Sequence, residues 1–420
     1  IMYFERTLEN GVRVVGQKIE GFRSVSVGIW IGTGSANEVA VEERGVSHFI
    51  EHMLFKGTER RTAQQIAAEM DGMGGILNAF TSKECTCYHA RIVDEKLPQT
   101  LDLLCDIVFH ATLDETEMQK EKGVVLEEIN MVEDTPEDLV HDLLSEAYFG
   151  DHPLARPILG TAESIANMTK DIMLRYLERQ YVPENIVFAA AGGIDFEAFC
   201  DLVAEQTKHL KPSGRKPYRY EAFGAAKPRF LSRVKPIEQA HLCLSMPGFS
   251  LEDERMYALN VFNNAFGGSM SSRLFQQIRE QRGLAYDVYS HPSTYVRNGV
   301  YSIYAGVTAA KAVEVYQLLL DEMQDILKNG LSQEEFNRSK EQLKGNYILG
   351  LESTSSRMNA IGRSMVMTGK IRTAEETIAS IEKVTMEDIQ EILPIIFDRN
   401  RLAGSAVGKI DEKALKAVLQ

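Results

Sequence analysis

Residues 48–52 read His-Phe-Ile-Glu-His inside VSHFIEHMLFKGT (46–58), an apolar-periodic stretch that predicts a helix. His48 and His52 stand four apart, so both side chains leave one helical face with Cβ atoms roughly 5–6 Å apart, close enough to grip one metal ion. Glu51 shares that face and reaches a water beside such an ion without being a ligand itself. Two imidazoles and a carboxylate in a largely apolar segment are costly to bury unless something pairs them, and a metal ion would. Three protein ligands with a fourth position left open is the arrangement of catalytic zinc, so the chemistry indicated is metal-assisted hydrolysis.

A third ligand must come from elsewhere in the chain. The best candidate segment is DETEMQKEKGVVLEEINMVED (114–134), a strong helix pattern rich in carboxylates. Glu121 and Glu128 are seven apart, two turns along one face, whereas Glu127 points about 100° away. One of the pair could bind the ion while the other holds a ligating histidine through its second ring nitrogen. The spacing alone does not choose between them, and a charged helix without the histidine cluster would read as a solvated face.

The elements that must position these groups come in two similar sets. SVSVGIWIGTGSANE (24–38) and AHLCLSMPGFSLEDE (240–254) each read as a strand running into a turn. Helical patterns follow at 46–58 and 259–271. Next, 77–108 and 285–323 each read as two alternating strands and a long amphipathic helix. The offset drifts only from 211 (Phe55/Phe266) to 215 (Lys96/Lys311). These parallels predict an α+β fold built from a duplicated domain, each copy a mostly antiparallel sheet with helices packed on one side. The most linker-like stretch, Lys211 to Arg229, holds three prolines and two glycines. The expected domains are therefore 1–212 and 229–420, joined by a linker at 213–228. Where the first copy has His48, Glu51 and His52, the second has Leu259, Phe262 and Asn263, so only the first carries the polar cluster.

The chain has 420 residues, 44% of them apolar and 25% charged, which are ordinary globular proportions. Its 46 basic against 60 acidic residues, a formal charge of −14, argue against phosphate-driven nucleic-acid binding and against docking on anionic membranes. No run of about 18 apolar residues predicts a membrane-spanning helix. The opening IMYFERTLENGVRVV lacks the features of a secretory signal or transit peptide, from which a cytoplasmic location is expected. Five scattered cysteines do not make a disulfide framework, and Cys85 and Cys87, alternating on one strand, read as packing residues. His89, His110, His141 and His152 read as structural or solvated, with His141 the one whose helix could return toward the cluster.

HFIEHMLFKGT, followed 76 residues after His52 by Glu128 in VVLEEI, resembles the pitrilysin-type (inverzincin) zinc peptidases of family M16. Within them it is most similar to the mitochondrial-processing-peptidase-like branch and its bacterial homologues, over nearly the whole chain. That resemblance implies one zinc ion per chain held by His48, His52 and Glu128, with Glu51 as general base and Glu121 supporting a ligand from behind. Cobalt or manganese would also suit imidazole and carboxylate ligands. LNAFTSKECTCYHA (77–90) resembles the family's substrate-pairing edge strand, which implies that Asn78 binds the scissile peptide and Ala79 pairs through its backbone. Arg279 and Tyr286 in SSRLFQQIREQRGLAYDVYS (271–290) match the family's arginine–tyrosine pair, with Arg282 the nearest rival; an arginine could hold a substrate carbonyl and a phenol an oxyanion. The implied function is zinc-dependent endopeptidase action on unfolded or short peptides, by a chain forming half of a clamshell. The expected assembly is a homodimer, with a heterodimer as the alternative. The competing class is a non-catalytic structural or binding subunit with a vestigial metal site; relatives of that kind lose ligand positions, and this chain keeps them all.

Overall fold

Alternating apolar residues build two sheets with the same plan. In the first, β1 (Met2–Thr7), β2 (Arg13–Lys18), β3 (Ser24–Ile31), β4 (Ile76–Thr81), β5 (Thr86–Val93) and β6 (Ile186–Gly192) lie in the order β1-β2-β6-β3-β5-β4. In the second, β7 (Phe230–Val234), β8 (Gln239–Pro247), β9 (Ala285–Thr294), β10 (Gly299–Thr308) and β11 (Ala403–Gly408) lie in the order β7-β11-β8-β10-β9. Removing β1 makes the two orders superimpose. Each sheet has a single parallel pair, β2 with β6 and β7 with β11, and is otherwise antiparallel. The landmarks agree as well: Lys96 and Lys311 both sit at the N-cap of the long helix that follows each second hairpin strand. The fold is thus a duplicated α+β domain.

The computed structural model describes residues 2–224, 227 and 229–420; residues 225, 226 and 228 of the expected linker lie outside the described residues. Two compact units emerge, and neither is continuous in sequence. The first comprises residues 1–129, 156–220 and 350–373, and the second 130–155, 221–349 and 374–420. The chain therefore changes unit between residues 220 and 221, inside the linker-like stretch, but each unit also takes in a segment from the other half of the sequence.

Those borrowed segments supply a helix on the sheet face opposite the main helical layer. Val25, Val27, Ile29 and Ile31 point into the main core of the first unit. Their alternates Ser26, Gly28 and Trp30 face the helix Thr354–Thr368: the Ser26 hydroxyl lies 2.8 Å from Thr354 Oγ1, and Trp30 Nε1 donates to Met358 Sδ at 3.3 Å. Gly362 lets this helix lie against the indole, since a Cβ there would come within 2.2 Å of Trp30 Nε1. Gly362→Val is expected to lower stability by about 1–3 kcal/mol, overpacking outweighing the gain in helix propensity. A shift of the urea midpoint in the opposite direction would disprove the tight contact. In the second unit the helix Pro136–Phe149 packs likewise on Cys243, Tyr304 and Val407.

Candidate metal centre

The helix Val46–Leu54 buries Phe49, Ile50, Met53 and Leu54 in the core of the first unit and turns His48, Glu51 and His52 to its other side. Its N-terminus has no side-chain cap, because Gly45 occupies the N-cap at φ 86°, a left-handed conformation that suits glycine. The buried Glu38 carboxylate replaces the cap, accepting the Gly45 and Ser47 N–H groups at 3.0 and 3.1 Å. Burial pushes Glu38 up to about 8 despite these donors. The Ser47 hydroxyl continues to Tyr176 and Thr33 through contacts of 2.6 and 2.7 Å. The histidine pair therefore stands on a helix anchored from below by polar groups as well as by apolar packing.

The helix Glu115–Asp134 brings up the two carboxylates, and they play different parts. Glu128 Oε2 lies 3.6 Å from His48 Nε2, and its Oε1 lies 3.6 Å from His52 Nε2. One ligand atom from each of these residues forms a set within 4.8 Å of one another, the one such group among the described residues. Glu121 is buried and faces the other side of a ring, with Oε2 at 2.9 Å from His52 Nδ1 and Oε1 at 2.8 Å from Lys56 Nζ. A carboxylate paired with an ammonium group accepts hydrogen bonds, so Nδ1 of His52 is the donor to Glu121 and Nε2 is the nitrogen turned toward Glu128. Glu127 is exposed.

This donor set fits zinc. Burial, with His52 as the lesser cause, pushes His48 down to about 4, so its imidazole is neutral near pH 7, the form that ligates a metal. His48 Nδ1 is buried with no hydrogen-bond partner among the described residues, so Nε2 is the nitrogen that meets Glu128. Two imidazole nitrogens and one carboxylate oxygen are the ligand types of catalytic zinc, and they leave a fourth position.

Beside the set, Glu51 accepts a hydrogen bond from Thr81 Oγ1 at 2.5 Å, and burial raises its carboxyl above the usual range, Thr81 opposing. Thr81 lies on β4, the last strand of the sheet, which among the described residues pairs with β5 alone. Asn78 and Ala79 are on the same strand; Asn78 is exposed and its Oδ1 accepts the Ala79 N–H at 2.8 Å. Sequence reasoning missed Glu38, Lys56 and Thr81. Lys56 had a readable signal, four residues after His52 on the helical repeat, whereas Glu38 and Thr81 reach the helix only through the packing of a loop and a strand.

Arg279 and Tyr286 belong to the second unit. Arg279 sits in a π-helical turn, Phe275–Glu280, exposed over the Phe275 ring at 4.6 Å and 3.5 Å from Glu280. Tyr286 is the second residue of β9 and lies across Gly306, whose missing Cβ makes room for the phenol ring. Its hydroxyl is 3.5 Å from His241 Nδ1 and from the Tyr304 hydroxyl, and burial raises its pKa. Arg282 is exposed on the turn after the π-helix. In the second copy Leu259 and Phe262 are core residues, and Asn263 accepts from Ser290 and Tyr301 at 2.7 and 3.1 Å.

The remaining groups take structural places. All five cysteines are buried and free. His89 packs on Phe80 in the first sheet, and His110 is ring-to-ring with His209 at 4.9 Å. His152 Nε2 meets the Glu221 carbonyl. His141 lies in the second unit, stacked on Tyr304 and Tyr289, so it is no part of the histidine–carboxylate set.

A half-buried His/His/Glu set on one half of a duplicated α+β fold defines the class as a candidate zinc protein. Residues 13–162 match the family model described as insulinase (peptidase family M16), and residues 167–343 the one described as peptidase M16 inactive domain. The chain is 44% identical over 395 residues to an uncharacterized zinc protease, YmxG, of Bacillus subtilis (strain 168), covering 93% of this chain and 95% of that one. It is 39% identical over 414 residues to an uncharacterized zinc protease of Streptomyces coelicolor, covering 97% and 90%. A solved peptidase M16 inactive domain from Pseudomonas fluorescens has the same fold, with a TM-score of 0.91 at 20% identity over 98% of each chain. The chain belongs to peptidase family M16. Among the described residues no helix is long and apolar enough to cross a membrane.

Proposed function

We propose that this chain is a zinc-dependent endopeptidase that hydrolyses unfolded or short peptides. The observation that carries the reading is the convergence of His48, His52 and Glu128 beside a half-buried, hydrogen-bonded Glu51, in a chain whose relatives are named zinc proteases. His48, His52 and Glu128 hold the metal, and Glu121 keeps His52 in the required tautomer. Bound zinc supplies Lewis-acid polarisation and makes water acidic enough to act as a nucleophile at neutral pH. Glu51 takes the proton of the attacking water and returns it to the leaving amine; burial raises its pKa toward the range that such a shuttle needs. Thr81 occupies one Glu51 oxygen and so aims the other. The open edge of β4 pairs with the substrate main chain, which requires an extended and therefore unfolded segment, and Asn78 holds the scissile peptide. Arg279 and Tyr286, which match the family's arginine–tyrosine pair, are assigned to substrate binding through a guanidinium and a phenol hydroxyl.

The test is digestion of a quenched, unstructured peptide with and without chelator. Cleavage that chelator abolishes and added zinc restores supports the reading; metal binding with no cleavage would favour a scaffolding subunit instead. Thr81→Val should keep zinc and reduce kcat about 10-fold, with Thr81→Ser retaining most activity, because only the hydroxyl orients Glu51. Equal rates for the valine and serine variants would remove Thr81 from the mechanism.

A further inference from the structure

Lys56 reaches the metal centre from behind. The helix Val46–Leu54 ends two residues before it, and the Lys56 N–H still donates to the Met53 carbonyl at 3.1 Å, so its backbone extends the helix that carries both histidines. Gly57 follows at φ 125°, a positive value that suits glycine, and its carbonyl accepts the Thr112 N–H at 3.1 Å. Thr58 bridges to Ala111 beside that bond. The lysine backbone is thus pinned between the end of the histidine helix and the segment that leads into the helix Glu115–Asp134. Its ammonium joins the same two elements, with Nζ 2.8 Å from Glu121 Oε1.

Both oxygens of Glu121 are taken, Oε1 by Lys56 and Oε2 by His52 Nδ1 at 2.9 Å. The Glu121 side chain is 5% exposed and that of Lys56 34%, so water has little access to the carboxylate and more to the ammonium. Without the lysine, Oε1 would have no hydrogen-bond partner among the described residues. A buried acceptor in that state costs free energy, and the carboxylate would turn to relieve it, loosening its hold on Nδ1. The imidazole it steers is the one whose Nε2 faces Glu128. We infer that Lys56 is a positioning residue of the metal centre: its ammonium fixes the plane of the Glu121 carboxylate, which fixes the His52 ring for zinc. The inference rests on His48, His52 and Glu128 being zinc ligands and does not depend on peptide cleavage.

Charge alone makes the opposite prediction. An ammonium near a dication repels it, so removing Lys56 would tighten zinc binding if the lysine acted only through its field. Solvent at the half-buried ammonium screens that repulsion, whereas the hydrogen bonds through Glu121 act in a nearly dry setting, so positioning should win.

Zinc affinity, measured by competition with a chelating dye, separates the two effects. Lys56→Met keeps most of the stem and removes the charge and its donors; it should weaken zinc binding about 10-fold, near the lower limit for a group that orients a ligand. Lys56→Arg still offers charged donors to Oε1 and should stay within about 3-fold of the parent. In a Glu121→Gln chain the route from lysine to ring is broken, so adding Lys56→Met there should cause no further loss, or a slight gain from relieved repulsion. Lys56→Ala repeats the measurement in case the Lys56→Met chain misfolds. Unchanged or tighter binding in a folded Lys56→Met or Lys56→Ala chain overturns the inference. So does a loss in the Glu121→Gln background equal to that in the parent. A parent chain that binds no zinc overturns the metal reading, and the role of Lys56 with it.

Discussion

The Glu51→Gln chain is expected to bind zinc as tightly as the parent and to cleave peptides on the order of 1,000-fold more slowly. Glu51 is not one of the three atoms that meet within 4.8 Å, so replacing a carboxylate oxygen by an amide removes no ligand. The amide nearly matches the carboxylate in volume, and its oxygen still accepts from Thr81, so packing around the helix is preserved. What it cannot do is take a proton, and losing a positioned general base costs typically 100- to 10,000-fold. Zinc content by atomic absorption and rates on an unstructured peptide, measured on one preparation, separate the two properties. A fully active Glu51→Gln chain would refute the base assignment, and loss of zinc would move Glu51 into the ligand set.

Replacing Glu128 should have the larger effect on the metal. Structural zinc sites with four ligands bind with about 10–16 kcal/mol in all, so one ligand contributes roughly 3–4 kcal/mol and Glu128→Gln should weaken zinc binding 100- to 1,000-fold. Glu121→Gln should weaken it 10- to 100-fold, because it disturbs the hydrogen bond that orients His52 and the ion pair with Lys56 but removes no ligand. The order follows from the geometry: Glu128 faces the Nε2 atoms of both histidines, while Glu121 faces one Nδ1 and a lysine. Competition with a chelating dye of known affinity measures both variants. If Glu121→Gln loses more zinc than Glu128→Gln, the two roles are reversed.

These two variants also show where sequence reading runs out. His48, Glu51 and His52 were legible because their relation is local: three, four and one residue apart on a helix whose apolar residues fix the opposite face. The duplication was legible for the same reason, since strand and helix periods recur in the same order, and the sheet orders repeat that plan. Spacing could put Glu121 and Glu128 on one face of a helix but could not rank them. What separates them is the placement of that helix, which buries Glu121 against Lys56 and turns Glu128 toward the rings.

The same limit applies to the units. An amphipathic pattern tells that the helices Pro136–Phe149 and Thr354–Thr368 bury a face, but not which sheet receives it, so the sequence predicts a single cut where the units are discontinuous. Glu38 beneath the histidine helix, Thr81 on Glu51 and Lys56 on Glu121 all depend on segments that are not neighbours in the chain. The sequence alone determined the ligand types and the repeated architecture, because those rest on periodicity within single elements. Only the tertiary structure decided which carboxylate meets which nitrogen, because close packing of distant segments sets it.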